Sequence, residues 1–407
     1  MLDFSQVSTQ LKALSSQQID QCKNLEAAGE IALRRLQAIG ERWDWVRQKV
    51  DSSKTSWLLA EWDEDPNQAT ALPVCPHPCV VFSADGSQIV SDRHDIALIC
   101  LLNVGFVTLR YGAGERATLT SRPQISTPDS DLLNDDDNAT SPISPTRLAQ
   151  RRTLEELRGL NELIEIEKGR NEGSLSPSVA LTDGTLIMWL VESEEPSYRS
   201  RFLTEFQSIL HDAEVARVPV AGYISRPMSR DVINSLRVSA CSFPNAHCET
   251  HCEDRPTPRR SLKPIVHPPC AGTELLTDEE MFAKILQKGE RSVLFRSRAK
   301  LFDLEEYLPI NHIFFFYLNT GREIARIEIP RWVATDAALL AQTHALCYDQ
   351  ACKGDGYPVA IAEAHEQAIV RGGDRAAFFH LIQKEMVRDS LLVSITQKSL
   401  AKRSPRV

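Results

Sequence analysis

The sequence predicts an α/β protein, and a repeated strand pattern is the main observation behind this. An apolar run at 80–83 leads into Asp85, which a glycine follows directly. The segment 179–190 repeats the pattern, with Asp183 before a glycine. A buried strand that ends in an Asp-Gly turn carries a carboxylate to the rim of a sheet. Stretches of helical period lie before, between and after the two strands, so strands and helices alternate.

Two acids at the same point of two such strands suggest a shared cation. Carboxylate oxygens are preferred ligands of hard divalent ions, and acids on neighbouring strands can bind one together. Asp85 and Asp183 are therefore candidate metal ligands. Asp-Gly is also one of the commonest hairpin turns, so a purely structural role for each copy stays open.

The composition is that of a globular protein with a large core. The chain has 407 residues, 42% of them hydrophobic, which leaves room for two or three units. The net charge of −9 argues against a protein that coats nucleic acid with its whole surface. A local basic channel remains compatible with this charge.

Nothing in the sequence indicates export or a membrane span. No apolar run approaches the roughly 20 residues that a spanning helix needs, and the N-terminus lacks the build of a signal peptide. We therefore expect a cytoplasmic protein in which the ten cysteines are free thiols or metal ligands.

The first fifty residues have the period of a long helix. Their apolar positions alternate spacings of three and four, at Cys22, Leu25, Gly29, Ala32, Leu36, Ile39, Trp43, Val46 and Val50. We assign 1–70 as an N-terminal helical region. It either packs on the main domain or forms a dimer or partner contact.

Residues 121–146 differ from their surroundings, being rich in Pro, Ser and Asp. This composition predicts a solvated acidic insertion. Asp135, Asp136 and Asp137 lie within it, and a flexible loop explains them better than a metal site, because nothing apolar nearby would hold the carboxylates.

The helix that follows carries both arginines and acids. Arg152 stands near its start, and the apolar stripe is centred between Leu157 and Ile164. At 100° per residue, Glu156 falls nearer the edge of this stripe than Glu155 does. An acid at that margin can face a cleft, although a solvated glutamate is the simpler interpretation.

Later segments supply further candidates. A strand at 218–225 ends at Arg226, where a cation can meet a phosphate, and Ser229 is expected to cap the next helix. Thr277 opens a capping box, and 312–329 read as a hairpin. The alternative to a phosphate contact is that Arg226 is an ordinary surface arginine.

A second group of metal-type residues lies at 241–270. It contains Cys241, Cys248, Cys252 and Cys270, with histidines between them. Thiolates at short spacing suit a tetrahedral zinc ion, and Cys248-x-x-x-Cys252 has a usual zinc spacing. The set matches no named zinc finger, so a loosely ordered insertion is the other interpretation.

The chain resembles the NurA nuclease family. Six short motifs in order between Val74 and Val370 carry this resemblance: V-F-S-A-D-G-S, R-R-T-L-E-E-L, V-A-L-T-D-G-T, V-A-G-Y-I-S-R-P, A-R-I-E-I-P-R-W and Y-P-V-A-I-A-E-A-H-E-Q-A.

The resemblance implies an RNase H-like core, a mixed sheet flanked by helices, within a nuclease domain at 74–390 that contains both insertions. It implies Mn²⁺ or Mg²⁺ bound by Asp85, Asp183 and a helix glutamate, with Tyr357 and His365 lining the site. We take the glutamate as Glu156, with Glu155 and Glu162 as alternatives. On this resemblance the expected catalytic residues are Asp85, Glu156, Asp183, Tyr357 and His365. Arg226 and Arg152 are expected to contact DNA.

The same resemblance implies a role in double-strand break repair. The family acts on DNA ends in the 5′ to 3′ direction, with single-strand endonuclease activity, as a homodimer that works with a HerA-type translocase.

Two other functions compete. Actin-like and sugar-kinase ATPases also place Asp-Gly turns at phosphate and magnesium, but they need a late glycine-rich contact, for which only Gly372-Gly373 is available. The second competing function is that of a catalytically inactive scaffold for a translocase. The presence of the three acids together with Tyr357 and His365 argues against it, because a scaffold does not require these residues.

Overall fold

The computed structural model describes residues 3–90, 99–112, 114–126, 145–252 and 268–388. The chain forms two compact units. Unit one comprises Met1–Pro73, Tyr223–Asp303 and His312–Ala334. Unit two comprises Val74–Gly222, Leu304–Asn311 and the chain from Thr335 onward. Strands and helices alternate, which confirms the predicted α/β class.

The strands, in chain order, are β1 (Ala60–Glu61), β2 (Ala69–Thr70), β3 (Cys79–Val90), β4 (Cys100–Tyr111), β5 (Thr118–Ser126), β6 (Ser178–Asp183), β7 (Val220–Ile224), β8 (Arg291–Ser292), β9 (Phe295–Ser297), β10 (Ile313–Asn319) and β11 (Ile324–Pro330).

The α-helices are α1 (Phe4–Ile39), α2 (Trp43–Asp51), α3 (Pro145–Arg170), α4 (Pro196–Val215), α5 (Asp231–Ser239), α6 (Cys248–Cys252), α7 (Asp278–Phe282), α8 (Arg331–Ala334), α9 (Ala337–Lys353), α10 (Val359–Ala368) and α11 (Gly372–Arg388). Among the residues described, no helix has the length and apolar character needed to cross a membrane.

Unit two is built on a mixed sheet with the strand order β5-β4-β3-β6, and β7 begins beside β6. β3, β4 and β5 pair antiparallel, whereas β6 runs parallel to β3. An RNase H-like core has this arrangement: a three-stranded antiparallel meander, with parallel pairing beside its first strand. This part of the fold prediction is confirmed.

The predicted turn at Asp85-Gly86 is wrong. β3 continues through both residues to Val90 and stays paired with β4, with Asp85 opposite Gly105. Sheet pairing overrides the local turn preference here, because β4 offers a partner along the whole length of β3. The second Asp-Gly does end a strand: β6 stops at Asp183, and Gly184 has φ +103°, a conformation that favours glycine.

Helices cover both faces of this sheet, and two glycines allow their close approach. A Cβ on Gly159 of α3 would lie 2.0 Å from a ring atom of Phe106 on β4. A Cβ on Gly105 would lie 2.3 Å from the carbonyl oxygen of Ala364 in α10. Successive side chains of a strand point to opposite faces of the sheet. Phe106 therefore lies on the face covered by α3, and Gly105 on the face covered by α10.

Unit one has its own core, which α1 and α2 help to form. The predicted N-terminal helix is interrupted by a short 3₁₀ turn at Gly40–Arg42. Ala32, Leu36, Val46 and Val50 are buried in the cluster that includes Phe295 and Tyr317. Intramolecular packing therefore explains this part of the apolar seam. Cys22, at the start of the predicted seam, is exposed.

The units divide the chain differently from the domains predicted from sequence. The predicted helical region 1–70 packs with 223–303 and 312–334, and the predicted nuclease domain at 74–390 is shared between the units. Of the predicted acidic insertion, Ser121–Ser126 belong to strand β5, because they pair with β4. Asp135, Asp136, Asp137 and most of that insertion lie outside the described residues, as do 253–267 of the Cys/His segment.

The prediction that Ser229 caps helix α5 is wrong. A residue distant in the sequence caps this helix instead. The Ser229 hydroxyl pairs with the Tyr317 hydroxyl at 2.9 Å. The backbone N–H groups of Val232 and Ile233 instead donate to the two carboxylate oxygens of Asp278, at 3.1 and 2.8 Å. The predicted Thr277 capping box and the β10–β11 hairpin are both present.

The Gly105→Ala substitution should destabilise unit two. Its Cβ would overlap backbone atoms of α10, and overpacking of this kind costs about 1–3 kcal/mol. Urea unfolding measures the free energy of unfolding. Gly169→Ala is the matched control, since no atom lies within 4 Å of that Cβ. Equal stability of Gly105→Ala and wild type would mean that α10 does not contact β4 this closely.

The stability conferred by Asp278 should depend on pH. Burial, together with the nearby Asp231 carboxylate, raises the pKa of Asp278 from 3.8 to about 7. The folded chain therefore binds the proton more tightly than the unfolded chain. The contribution to the free energy of unfolding is complete below pH 3.8 and is lost as the pH rises to about 7.

Urea unfolding of wild type and Asp278→Asn across this range measures the effect. Asparagine offers a single acceptor oxygen, so one of the donors loses its partner at a cost of about 1–3 kcal/mol. The advantage of wild type over Asp278→Asn should shrink from pH 4 to pH 7. A constant difference would show that Asp278 does not titrate in this window.

Candidate active site

The strands of unit two bring Asp85 and Asp183 to one face of the sheet. In the parallel β3–β6 register, Ala84 lies opposite Thr182, so the next residue on each strand is an aspartate. Both aspartates point to the α10 side, because side chains one residue apart alternate faces. The repeated motif thus becomes a pair of neighbouring acids.

Asp85 is held from two directions. The N–H of Gly86 donates to Asp85 Oδ1 at 2.8 Å. The Nδ1 atom of His365 lies 2.7 Å from Asp85 Oδ2, and the imidazole remains 60% exposed. The Asp85 carboxylate therefore orients the ring, while the rest of the imidazole stays open to solvent.

Helix α10 is fixed to the sheet close to His365. The Ser87 hydroxyl donates to the carbonyl oxygen of Ala368 at 2.5 Å, and the Asn103 amide donates to the same oxygen at 2.8 Å. These side chains bind the last turn of α10, one turn beyond His365. Together with the contact at Gly105, they set the distance between His365 and the acids.

Glu156 of α3 supplies a third carboxylate from the other face. It lies over Gly86, where a Cβ would be 2.5 Å from Glu156 Oε1. Burial, above all, raises the pKa of Glu156 to about 8, and the charges of Asp85 and Asp183 add to this effect. Arg152 and the N–H of Gly86 act in the opposite direction.

The other two helix glutamates have partners elsewhere. Glu155 pairs with Arg158 at 2.5 Å, and Glu162 pairs with Arg122 at 2.5 Å. Glu156 lies close enough to Asp85 and Asp183 for their charges to raise its pKa.

Asp183 is linked to Tyr357. Burial raises the pKa of Asp183, and the neighbouring Asp85 charge raises it further. A hydrogen bond from the Tyr357 hydroxyl lowers this pKa, as does His365. Tyr357 precedes α10, so one segment delivers both the hydroxyl and the imidazole to the acids.

The chemistry of the three acids fits a divalent cation. Glu156 Oε1 is buried and has no hydrogen-bond partner, and two further carboxylates lie close enough to raise the pKa of Glu156. Carboxylate oxygens grouped in this way are the ligands that hard divalent cations prefer.

We find no metal-binding arrangement of three His, Cys, Asp or Glu side chains in the part of the chain that the structure describes. Arg152 Nε lies 3.2 Å from Glu156 Oε1, where it offsets part of the charge. Cation binding at the acids therefore requires side-chain movement, with Arg152 leaving Glu156.

The remaining predicted residues lie in unit one. The Arg226 guanidinium is 78% exposed, and its Nε is 3.9 Å from a carboxylate oxygen of Glu323. Cys241, Cys248, Cys252 and Cys270 line one small cavity.

Sequence reasoning missed the importance of Gly86 and of the Arg152–Glu156 pair. The sequence predicts Gly86 as a turn residue, whereas in the structure it leaves space for the Glu156 carboxylate of α3. The signal for the pair was present, because an arginine and a glutamate four apart on a helix are neighbours.

The NurA domain model matches residues 79–370, which is more than half of the chain. No curated protein matches the chain.

Among solved structures, a crystal structure of NurA with manganese has 12% identity and a TM-score of 0.36, over 77% of this chain and 91% of that one. The catalytic domain of human endonuclease V has 12% identity and a TM-score of 0.30, over 84% and 98%. A type 1 RNase H with the type 2 active-site motif has 14% identity and a TM-score of 0.20, over 40% and 70%. These are distant resemblances, and the fold assignment rests on the strand order.

Tyr357→Phe should raise the pKa of Asp183 further, because it removes the hydroxyl that lowers it. Titration of aspartate side-chain carbons by NMR measures this pKa. Tyr348→Phe is the matched control, since that phenol interacts with Cys352. An unchanged Asp183 titration in Tyr357→Phe would rule out the hydrogen bond.

Proposed function

The chain belongs to the NurA family, and from this premise we propose that it is a nuclease of DNA, dependent on Mn²⁺ or Mg²⁺. Family membership supports nuclease activity. The single observation that carries the metal dependence is the grouping of three acids. The charges of Asp85 and Asp183 help to raise the pKa of the buried Glu156, whose Oε1 is ion-paired with Arg152 but accepts no hydrogen bond.

In this proposal Asp85, Glu156 and Asp183 hold the cation. A bound divalent ion supplies positive charge for the scissile phosphate and lowers the pKa of a coordinated water. The acids come from β3, β6 and α3, three elements of one rigid core, which is how a site keeps its ligands in place.

The second group of residues handles the proton and the substrate. Asp85 orients His365 through Nδ1, which leaves the exposed side of the ring available to exchange a proton with the reacting phosphate group. Tyr357 fixes the Asp183 carboxylate by its hydrogen bond. Arg152, once released from Glu156, becomes available to a DNA phosphate.

The wider role follows from the family. We propose that the protein digests DNA ends in the 5′ to 3′ direction, cuts single strands internally, and acts in double-strand break repair. It does so as a homodimer with a HerA-type translocase. Arg226, exposed in unit one, is proposed as a further phosphate contact.

Glu156→Gln should abolish DNA cleavage, as should Asp85→Asn and Asp183→Asn. Each removes a carboxylate ligand from the proposed cation site, and even an outer-shell partner is worth about 10- to 100-fold to a metal site. Digestion of end-labelled single- and double-stranded DNA with Mn²⁺, Mg²⁺ or EDTA measures cleavage, and the label position gives the direction.

Glu162→Gln is the matched control on the same helix, because Glu162 pairs with Arg122 and should be dispensable. Thermal unfolding gives a readout that does not require activity. A cation that binds only the folded chain raises the melting temperature of wild type and not of Asp183→Asn.

The two readouts separate the possible outcomes. A full shift in melting temperature without cleavage would favour the scaffold interpretation. Cleavage that survives Glu156→Gln and fails in Glu162→Gln would refute the assignment of the third acid.

A further inference from the structure

A cluster of four cysteines in unit one lies outside the proposed nuclease site. Cys248 and Cys252 are four residues apart in α6, which places both thiols on the same side of the helix. Cys241 follows α5, and Cys270 lies before α7. All four are free thiols of intermediate burial, neither in the apolar core nor fully exposed.

The four cysteines surround one small cavity. Its volume is about 20 Å³, and Trp57 and Arg237 complete part of the lining. A space of roughly 10–15 Å³ is enough for one water molecule, so this cavity has room for about one particle of that size.

The segments that carry the cysteines are tied to the body of unit one. Lys49 Nζ donates to the carbonyl oxygen of Cys241 at 2.6 Å. Arg237 Nε donates to the carbonyl oxygen of Cys270 at 3.3 Å. The N–H of Cys248 donates to the carbonyl oxygen of Lys54 at 3.2 Å. The cavity is thus built by anchored backbone.

The two histidines that line the cavity have other contacts. His251 stacks on Phe243, with ring centroids 4.1 Å apart. His247 Nδ1 lies 3.4 Å from the backbone nitrogen of Thr250. The thiols are therefore the better candidates for ligands.

Positive charge lies beside the cluster. The Arg237 guanidinium is stacked 3.7 Å from the centroid of the Trp57 ring, which holds it at the cavity wall. A divalent ion with four thiolates carries a net charge of two minus. Arg237, with Lys49 nearby, offsets part of that charge, as outer-shell groups do at metal sites.

We propose that Cys241, Cys248, Cys252 and Cys270 bind a structural zinc ion that fastens α6 and the segment before α7 to α5. Four thiolates in tetrahedral arrangement are a common closed zinc site, and the Cys248–Cys252 spacing is within the usual range. Binding releases the thiol protons to solvent.

The site forms fully when the ion binds. No three potential ligands in the described ranges are arranged to hold a metal as they stand, so the thiols must rotate about their Cα–Cβ bonds. The anchored backbone keeps these rotations local. The zinc site is independent of the proposed nuclease function, because its ligands and those of the nuclease lie in different units.

Cobalt substitution in the full-length chain tests the proposal. The purified protein should contain one zinc per chain by elemental analysis. After chelation, Co²⁺ should produce the thiolate charge-transfer band and the strong visible bands of a tetrahedral ion, and added Zn²⁺ should remove both. An octahedral spectrum without the thiolate band would overturn the proposal, and this measurement needs no variant to fold.

A pair of double variants locates the ion. Cys248→Ser with Cys252→Ser should lose the zinc and melt at a lower temperature than wild type. Cys22→Ser with Cys352→Ser is the matched control, because both cysteines are exposed, and should keep the zinc. Zinc retained by the first variant would place the ion elsewhere. Glu156→Gln should also keep it, which separates this site from the acids.

Discussion

The missing side chain of Gly86 is the constraint on which the candidate active site depends. β3 presents Asp85 to one face of the sheet, and α3 approaches the other. Only because Gly86 has no Cβ can the carboxylate of Glu156 settle against the strand, where burial raises its pKa to about 8. The charges of Asp85 and Asp183 also help to raise this pKa, and a cation bound near the acids would offset that effect.

A second glycine plays the same part on the opposite face. Gly105 allows α10 to rest on β4, and the bonds from Ser87 and Asn103 to Ala368 fix its last turn. His365 is thereby held against Asp85. Close packing of both helices onto one pair of strands thus positions the acids and the imidazole, and the surrounding core keeps that geometry rigid.

Buried acids differ in how completely they are bonded. In unit two, Glu167 accepts hydrogen bonds from Arg110, whereas Glu156 Oε1 is ion-paired with Arg152 but accepts no hydrogen bond. In unit one, Asp278 accepts hydrogen bonds from Val232, Ile233 and the Tyr317 hydroxyl. Fully bonded acids stabilise a core, whereas an acid left short of partners is suited to binding a cation.

The sequence alone determined the α/β class, the repeated Asp-Gly strands, the capping box at Thr277 and the hairpin, because these follow from local periodicity and local hydrogen bonding. It also placed Glu156 nearer the edge of an apolar stripe than Glu155, but left the choice among Glu155, Glu156 and Glu162 open. Only the tertiary structure decided that β3 runs straight through Asp85 and Gly86, and that Asp278 caps α5. Both depend on partners distant in sequence, whose pairing energy exceeds the local preference.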